Sequence, residues 1–252
     1  MPMLDAPAWI CSCLLLSMRI APIFAFAPPF TLVRAPVLFR LLFGMALATS
    51  IISANPEKIM ADISPAALIP AAVSELLLGM IFVLLMQLCF ASLQLAGRLI
   101  DIQAGFGLAT LIDPTSHAQT PLVGTLFAYA AGALFFSMDG HFELLRIIVA
   151  SLEAAPIGGW AMPVSLARLT AYIATIFILG MGVAGAAILI LLLVDMIIAL
   201  LARTVPQMNV LIMGFQVKTI ALLLVLPLCL GMGGALMAQM IRITLETLPK
   251  LI

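Results

Sequence analysis

Charge is the scarcest commodity in this sequence: only 9% of its 252 residues are Asp, Glu, Lys or Arg, where soluble domains carry about 25%. Such a shortage excludes an ordinary water-soluble fold. The eleven basic and eleven acidic residues cancel, so the basic footprint of a nucleic-acid binder is missing as well. Histidine is nearly absent. His117 and His141 are the two in the chain, neither stands at a metal-ligand spacing, and both read as loop-surface positions. Neither H-E-x-x-H nor G-x-S-x-G occurs, which removes the usual zinc-protease and serine-hydrolase signatures. The four cysteines, Cys11, Cys13, Cys89 and Cys229, all sit in apolar runs without a C-x-x-C pair. They read as small buried hydrophobes rather than redox or metal groups. One phosphate-loop pattern, Gly180-x-Gly182-x-x-Gly185, is present, but it lies inside an apolar run with no strand before it. A dinucleotide site is excluded, and the glycines read as helix-contact positions together with Ala184, Ala186, Gly231 and Ala235. No catalytic constellation, cofactor site or metal site is expected.

What the sequence has in abundance is apolar length. Hydrophobic residues make up 65% of the chain and the mean hydropathy is +1.29, so it reads as a polytopic, all-α membrane protein. Apolar runs fall near 8–27, 37–54, 66–95, 120–138, 170–201 and 209–240, predicting about six long hydrophobic helices. A helix needs about 20 residues to cross a hydrocarbon core of about 30 Å. The third, fifth and sixth runs exceed that and must tilt, kink or project. Ala25-Phe26-Ala27 mimics a signal-peptidase site, but Asp5, Arg19 and Pro28 argue against processing, and residues 1–30 are expected to stay as a membrane element. Pro28-Pro29 should end the first helix, and Ser64-Pro65 should start the third. Counting Lys and Arg over simple crossings gives a tie between the two sides, so positive-inside bias sets no orientation.

Residues 139–168 form the one sizeable stretch of mixed polarity. Phe142, Leu145, Val149 and Leu152 recur at helical spacing opposite Glu143, Arg146 and Glu153, predicting a short amphipathic helix that Pro156 stops, on the membrane interface or against a partner. Gly158-Gly159-Trp160 should then turn the chain.

A carboxylate at mid-bilayer costs about 2.5–3.5 kcal/mol, so it normally faces protein or water. Glu75 and Asp195 lie inside apolar runs. Each is either a polar contact or proton-linked site in a channel wall, or half of an interhelical salt bridge, and Arg203 stands two turns beyond Asp195. Arg19 either snorkels or meets a partner's acid. Arg98 and Asp101, three apart, are placed to pair on one helical face, with Gln103 beside them.

The longest polar and glycine-rich interruption runs from Gly97 to Pro121 and joins two apolar runs near mid-chain. Irregular backbone beside a bilayer is tolerated where protein buries it or where it lines an aqueous cavity. The interruption therefore reads as the working loop of a membrane channel assembly.

Several motifs together resemble the FliR-type flagellar export-gate family. They are Ser17-x-Arg19-x-x-Pro22-x-Phe24, Pro36-x-x-x-Arg40 and Glu75-x-x-x-Gly79, then Ala96-Gly97-Arg98-x-Ile100-Asp101-x-Gln103-x-Gly105-Phe106 with Asp113-Pro114-x-Ser116. Arg203-x-x-Pro206-Gln207-Met208-Asn209-Val210 and Gly214-Phe215-x-x-Lys218 follow. Their order and spacing extend over essentially the whole chain. Gln216 departs from the pattern, where relatives often carry proline, and the chain ends soon after its last apolar run.

The resemblance implies a non-enzymatic channel subunit of kinked helical hairpins. Residues 1–165 would be FliP-like and residues 166–252 a FliQ-like hairpin. Such subunits assemble with FliP and FliQ, and with an FlhB-type switch protein, in the bacterial inner membrane, and pass unfolded export substrates. The family's mid-chain plug maps onto Gly105, Phe106, Gly107, Leu108, Leu111, Ile112, Asp113 and Pro114. Arg19, Glu75, Arg98, Asp101, Gln103, Asp195, Arg203 and Lys218 are carried over as structural or inter-subunit polar contacts. The Asp113-Pro114 wording resembles the flagellar branch rather than the injectisome branch. From the residues alone, a secondary transporter with Glu75 and Asp195 as coupling carboxylates stays open. An intramembrane enzyme stands third.

Overall fold

The computed structural model describes residues 6–32, 35–60, 62–106, 121–159, 165–205 and 209–251, and these are helical with short connectors. The helices are α1 (Ala6–Phe26), α2 (Val37–Ala54), α3 (Pro65–Ala104), α4 (Leu122–Ser137), α5 (Gly140–Ala154), α6 (Leu166–Thr204) and α7 (Val210–Thr247). Short 3₁₀ turns lie at Phe30–Leu32, Pro56–Lys58 and Leu248–Lys250. Five helices are long and apolar enough to span a membrane, and α4 with α5 makes a sixth candidate bent by 70°. The expected all-α membrane architecture is therefore what the chain adopts.

Local chemistry sets the helix boundaries. α1 stops at Phe26, just before the Pro28-Pro29 pair that cannot continue it. α3 starts at Pro65, where a missing N–H costs nothing, and the Ser64 carbonyl accepts from the Ala67 and Leu68 N–H groups at 3.0 Å each. The helices α3, α6 and α7 have 40, 39 and 38 residues. At 1.5 Å per residue each is about 60 Å long, roughly twice a hydrocarbon core. Their length matches the overlong runs in the sequence.

The chain divides into two compact units, and α3, α6 and α7 each contribute to both. Unit 1 comprises residues 1–88, 135–173 and 242–252. Leu16, Ile20, Leu78, Phe82, Leu144 and Ile148 are fully buried in it. α1 and α3 approach closely at Gly79, where an added Cβ would stand 2.6 Å from the Arg19 carbonyl oxygen. Tyr172 fixes three elements at once: its hydroxyl donates to the Leu85 carbonyl at 2.7 Å and lies 3.0 Å from Thr244 Oγ1. Unit 2 comprises residues 89–134 and 174–241. Phe90, Leu93, Ile100, Phe127, Ala184 and Ala187 form its interior.

The amphipathic helix exists as α5, and its buried face is Leu144, Ile147, Ile148, Ser151 and Leu152. Of the expected apolar stripe, Leu152 belongs to this buried face, while Phe142 and Val149 are 57% and 37% exposed. Two interleaved i, i+3/i+4 series run along this helix, and the one carrying Ser151 is turned inward by its polar contact, described below. His141 is not on a loop surface. It lies in the first turn of α5, with its ring centroid 5.6 Å from that of Phe136 and 4.2 Å from that of Phe142. His117 and Trp160 lie outside the described residues.

Candidate functional site

Two polar centres interrupt the apolar interior, one in each unit. The first is built on Arg19. α1 carries this guanidinium inward, and α3 brings Glu75 beside it, both side chains fully excluded from solvent. Arg19 Nε donates to Glu75 Oε2 at 2.6 Å and Nη2 donates to Oε1 at 2.9 Å, the bidentate fork that suits a planar guanidinium. Arg19 Nη1 donates to Ser151 Oγ at 2.8 Å, and Nη2 donates again to the Ala155 carbonyl at 2.9 Å. The latter places a cation at the C-terminus of α5, where free carbonyls favour it.

Glu75 Oε1 also accepts from the Gly158 N–H at 3.1 Å. Gly158 adopts φ +73°, and an added Cβ there would stand 2.8 Å from Ala71 Cβ, so this turn requires glycine. Arg19 therefore neither snorkels nor awaits a partner's acid. Glu75 takes the salt-bridge alternative. A buried charge without a partner is costly, and here each nitrogen of the guanidinium and each oxygen of the carboxylate has a partner.

Arg40 and Gln87 finish the same end of α1. Arg40 Nη1 donates to the Ala25 carbonyl and Gln87 Nε2 to the Phe26 carbonyl, both at 2.7 Å. These two side chains fill carbonyls that a helix C-terminus leaves open. Phe24 packs on Phe30 and Phe43, with centroids 4.7 and 5.2 Å apart.

The second centre lies where α3 ends in unit 2. Gly105 at φ 90° stops the helix, with its N–H on the Ile102 carbonyl and that of Phe106 on the Asp101 carbonyl, at 3.1 and 3.0 Å. Asp101 does not pair with Arg98. Both its carboxylate oxygens accept from the Val123 N–H at 3.2 Å, so it caps α4, whose open N–H groups attract an anion. Arg98 is exposed. Spacing made the pair geometrically possible, but the α4 N-terminus offers Asp101 a buried donor that Arg98 cannot.

One turn earlier, a Cβ on Gly97 would stand 2.2 Å from the Gly124 nitrogen. The α3 and α4 backbones therefore touch. Asp195 takes the interhelical salt-bridge alternative, with Lys218 of α7 rather than the nearby Arg203 as its partner, and Arg203 is exposed. Gln103 Nε2 donates to Asp195 Oδ2 at 2.8 Å, and Phe106 meets Phe215 edge-on with centroids 6.2 Å apart.

Of the expected plug residues, Gly105 and Phe106 take these positions. Gly107, Leu108, Leu111, Ile112, Asp113 and Pro114 lie outside the described residues. Among the expected glycine contacts, a Cβ added at Gly180 would stand 3.0 Å from Ser92 Oγ and one at Gly182 3.3 Å from Leu236 Cδ1, but among the described residues nothing stands within 4 Å of a Cβ at Gly231. Among the described residues no group of three His, Cys, Asp or Glu is placed to hold a metal. Sequence reasoning missed Ser151 and Tyr172, and the bond from the turn residue Gly158 to Glu75, which carry no signal until the fold brings them to Arg19, Leu85 and Glu75.

The residues gathered at these centres are largely those of the short motifs, and comparison with known proteins decides what that means. The family model described as "Bacterial export proteins, family 1" matches residues 10–243. The chain belongs to this bacterial export family. It is 29% identical over 244 residues to the flagellar biosynthetic protein FliR of Bacillus subtilis, covering 95% of this chain and 93% of that one. It is 32% identical to FliR of Escherichia coli over 67% of this chain and 61% of the relative. It is 26% identical to Yop proteins translocation protein T of Yersinia pestis, over 63% and 62%. As a family member the chain is a type III export component, built as a membrane protein.

Proposed function

We propose that this chain is a structural, channel-forming subunit of the flagellar type III export gate in the bacterial inner membrane. It assembles with FliP and FliQ, contacts an FlhB-type switch protein, and passes unfolded export substrates without catalysing a reaction. The observation that carries this reading is the family match along residues 10–243 together with near-complete coverage of a flagellar FliR. In this reading residues 1–165 correspond to a FliP subunit and residues 166–252 to a FliQ hairpin. The stretch from Gly105 to Pro114 closes the pore, with Phe106, Leu108, Leu111 and Ile112 as apolar filling. Apolar closure works by packing and dewetting, and it suits cargo of varied sequence.

The transporter reading needs Glu75 free to exchange an ion or proton. Glu75 is fully buried and holds three hydrogen bonds, which disfavours that role.

Solubilisation from native membranes is expected to recover the chain in fixed ratio with unlike small membrane proteins. Recovery as a monodisperse homomer alone would overturn the proposal. For the plug, deletion of residues 107–113 is expected to make membranes leak small ions while co-purification persists. Unchanged permeability in the assembled variant would place the closure elsewhere.

A further inference from the structure

We infer that Asp195 is a positioning residue: its carboxylate, fixed by Lys218, keeps the C-terminal turn of α3 seated on α6 and α7. Three elements converge on this one side chain. Lys218 of α7 takes Oδ1, and Gln103 of α3 donates to Oδ2. The side chains are only partly shielded, 20% exposed for Lys218 and 35% for Asp195.

Asp195 lies nine residues before the end of α6 at Thr204, about 14 Å along the helix. A charge partly shielded from water is costly unless paired. If α3 needed only a hydrogen bond, a neutral amide at 195 would serve without that cost. What the ion pair adds is a fixed acceptor. With Oδ1 held by Lys218, Oδ2 is presented in one direction, towards the amide of Gln103.

A second attachment runs parallel to the first. Gln103 stands in the last turn of α3 and Phe106 just past its end, after Gly105, while Phe215 and Lys218 are three apart on α7 and share a face. Phe106 meets Phe215 while Gln103 meets the carboxylate that Lys218 holds. The turn is therefore pinned at a polar and an aromatic point in matching register.

The test reads the proximity of positions 106 and 215 while the polar contact is altered. In the full chain within its native membrane complex, Cys11, Cys13, Cys89 and Cys229 are replaced by serine. Phe106→Cys and Phe215→Cys are then joined by a short thiol-specific crosslinker. Asp195→Ala and Lys218→Met are each expected to lower the crosslinking rate about fivefold, the factor that corresponds to ~1 kcal/mol for a partly exposed ion pair. Exchanging the charges, Asp195→Lys with Lys218→Asp, is expected to restore the rate. Gln103 carries both a donor and an acceptor, so it can serve a cation at 195 as well as an anion.

Unchanged crosslinking in either single variant, or no recovery on exchange, would overturn the inference. Should Asp195→Ala fail to accumulate, Asp195→Asn keeps the shape and removes the charge. Its expected rate lies between wild type and the Lys218→Met variant, and a rate equal to wild type would overturn the inference too. The crosslink is read within the chain, so its failure sinks the docking alone. The export function stands or falls on the co-purification.

Discussion

Arg19 and Glu75 are 56 positions apart, yet they form a two-pronged ion pair from which solvent is wholly excluded. Removing one member leaves a buried charge stranded, which costs about 3–5 kcal/mol, whereas replacing both by apolar groups is often neutral. Glu75→Ala and Arg19→Met are each expected to lower the yield and melting temperature of the solubilised protein sharply. The double variant Arg19→Met with Glu75→Leu should recover most of the loss. Thermal unfolding in detergent measures this, and a double variant as damaged as the worse single one would assign the pair a role beyond charge neutralisation.

Glycines with different surroundings should respond in opposite ways. A methyl on Gly97 collides with the Gly124 backbone at 2.2 Å, and backbone cannot swing aside as a side chain can. Gly97→Ala should therefore push α3 and α4 apart and destabilise unit 2. A methyl on Gly231 meets nothing within 4 Å among the described residues, and alanine is about 1 kcal/mol the better helix former. Gly231→Ala should match or exceed wild-type stability in the isolated chain. Equal tolerance at both positions in a melting assay would contradict the backbone contact at Gly97.

Asp101 makes its own prediction through the cap on α4. Asp101→Ala removes the acceptor for the Val123 N–H, and loss of such a cap costs ~1 kcal/mol. Asp101→Asn retains an acceptor oxygen and should be milder. Hydrogen exchange at Val123 is the direct readout. It should accelerate about fivefold in the alanine variant, and equal exchange in both variants would remove the capping role.

Acid should loosen the connector before α3 through Asp62. Asp62 Oδ1 accepts from the Ser64 N–H at 2.9 Å. This backbone hydrogen bond, followed by one from the Ser64 side chain, holds the carboxyl below its usual range. Because the folded value is the lower one, the stabilisation is present above the unfolded carboxyl value near ~3.9. It is lost as pH falls through the folded value. Asp62→Asn should remove the stabilisation present above that limb, so the variant loses order at the start of α3 at neutral pH and its acid limb is flat. Amide exchange of Ser64 against pH tests it, and an unchanged limb would reassign the titration to another carboxylate.

The sequence by itself determined whatever depends on near neighbours. Apolar run length and scarce charge made the chain a helical membrane protein, and Pro28-Pro29, Ser64-Pro65 and Pro156 placed helix ends within a few residues of where they fall. Motif order along the chain was enough to identify the family, because the motif residues keep their spacing whatever they touch. Tertiary structure decided who pairs with whom. Arg98 was three residues from Asp101 and Arg203 two turns from Asp195, yet Val123 and Lys218 took those carboxylates. Glu75 found Arg19 on another helix, and Ser151 turned one of two equally apolar stripes of α5 inward. A helical spacing states which residues could share a face. Which contacts form is set by burial, where an unpaired charge is expensive enough to choose the best-shielded donor the packing brings, however distant in sequence.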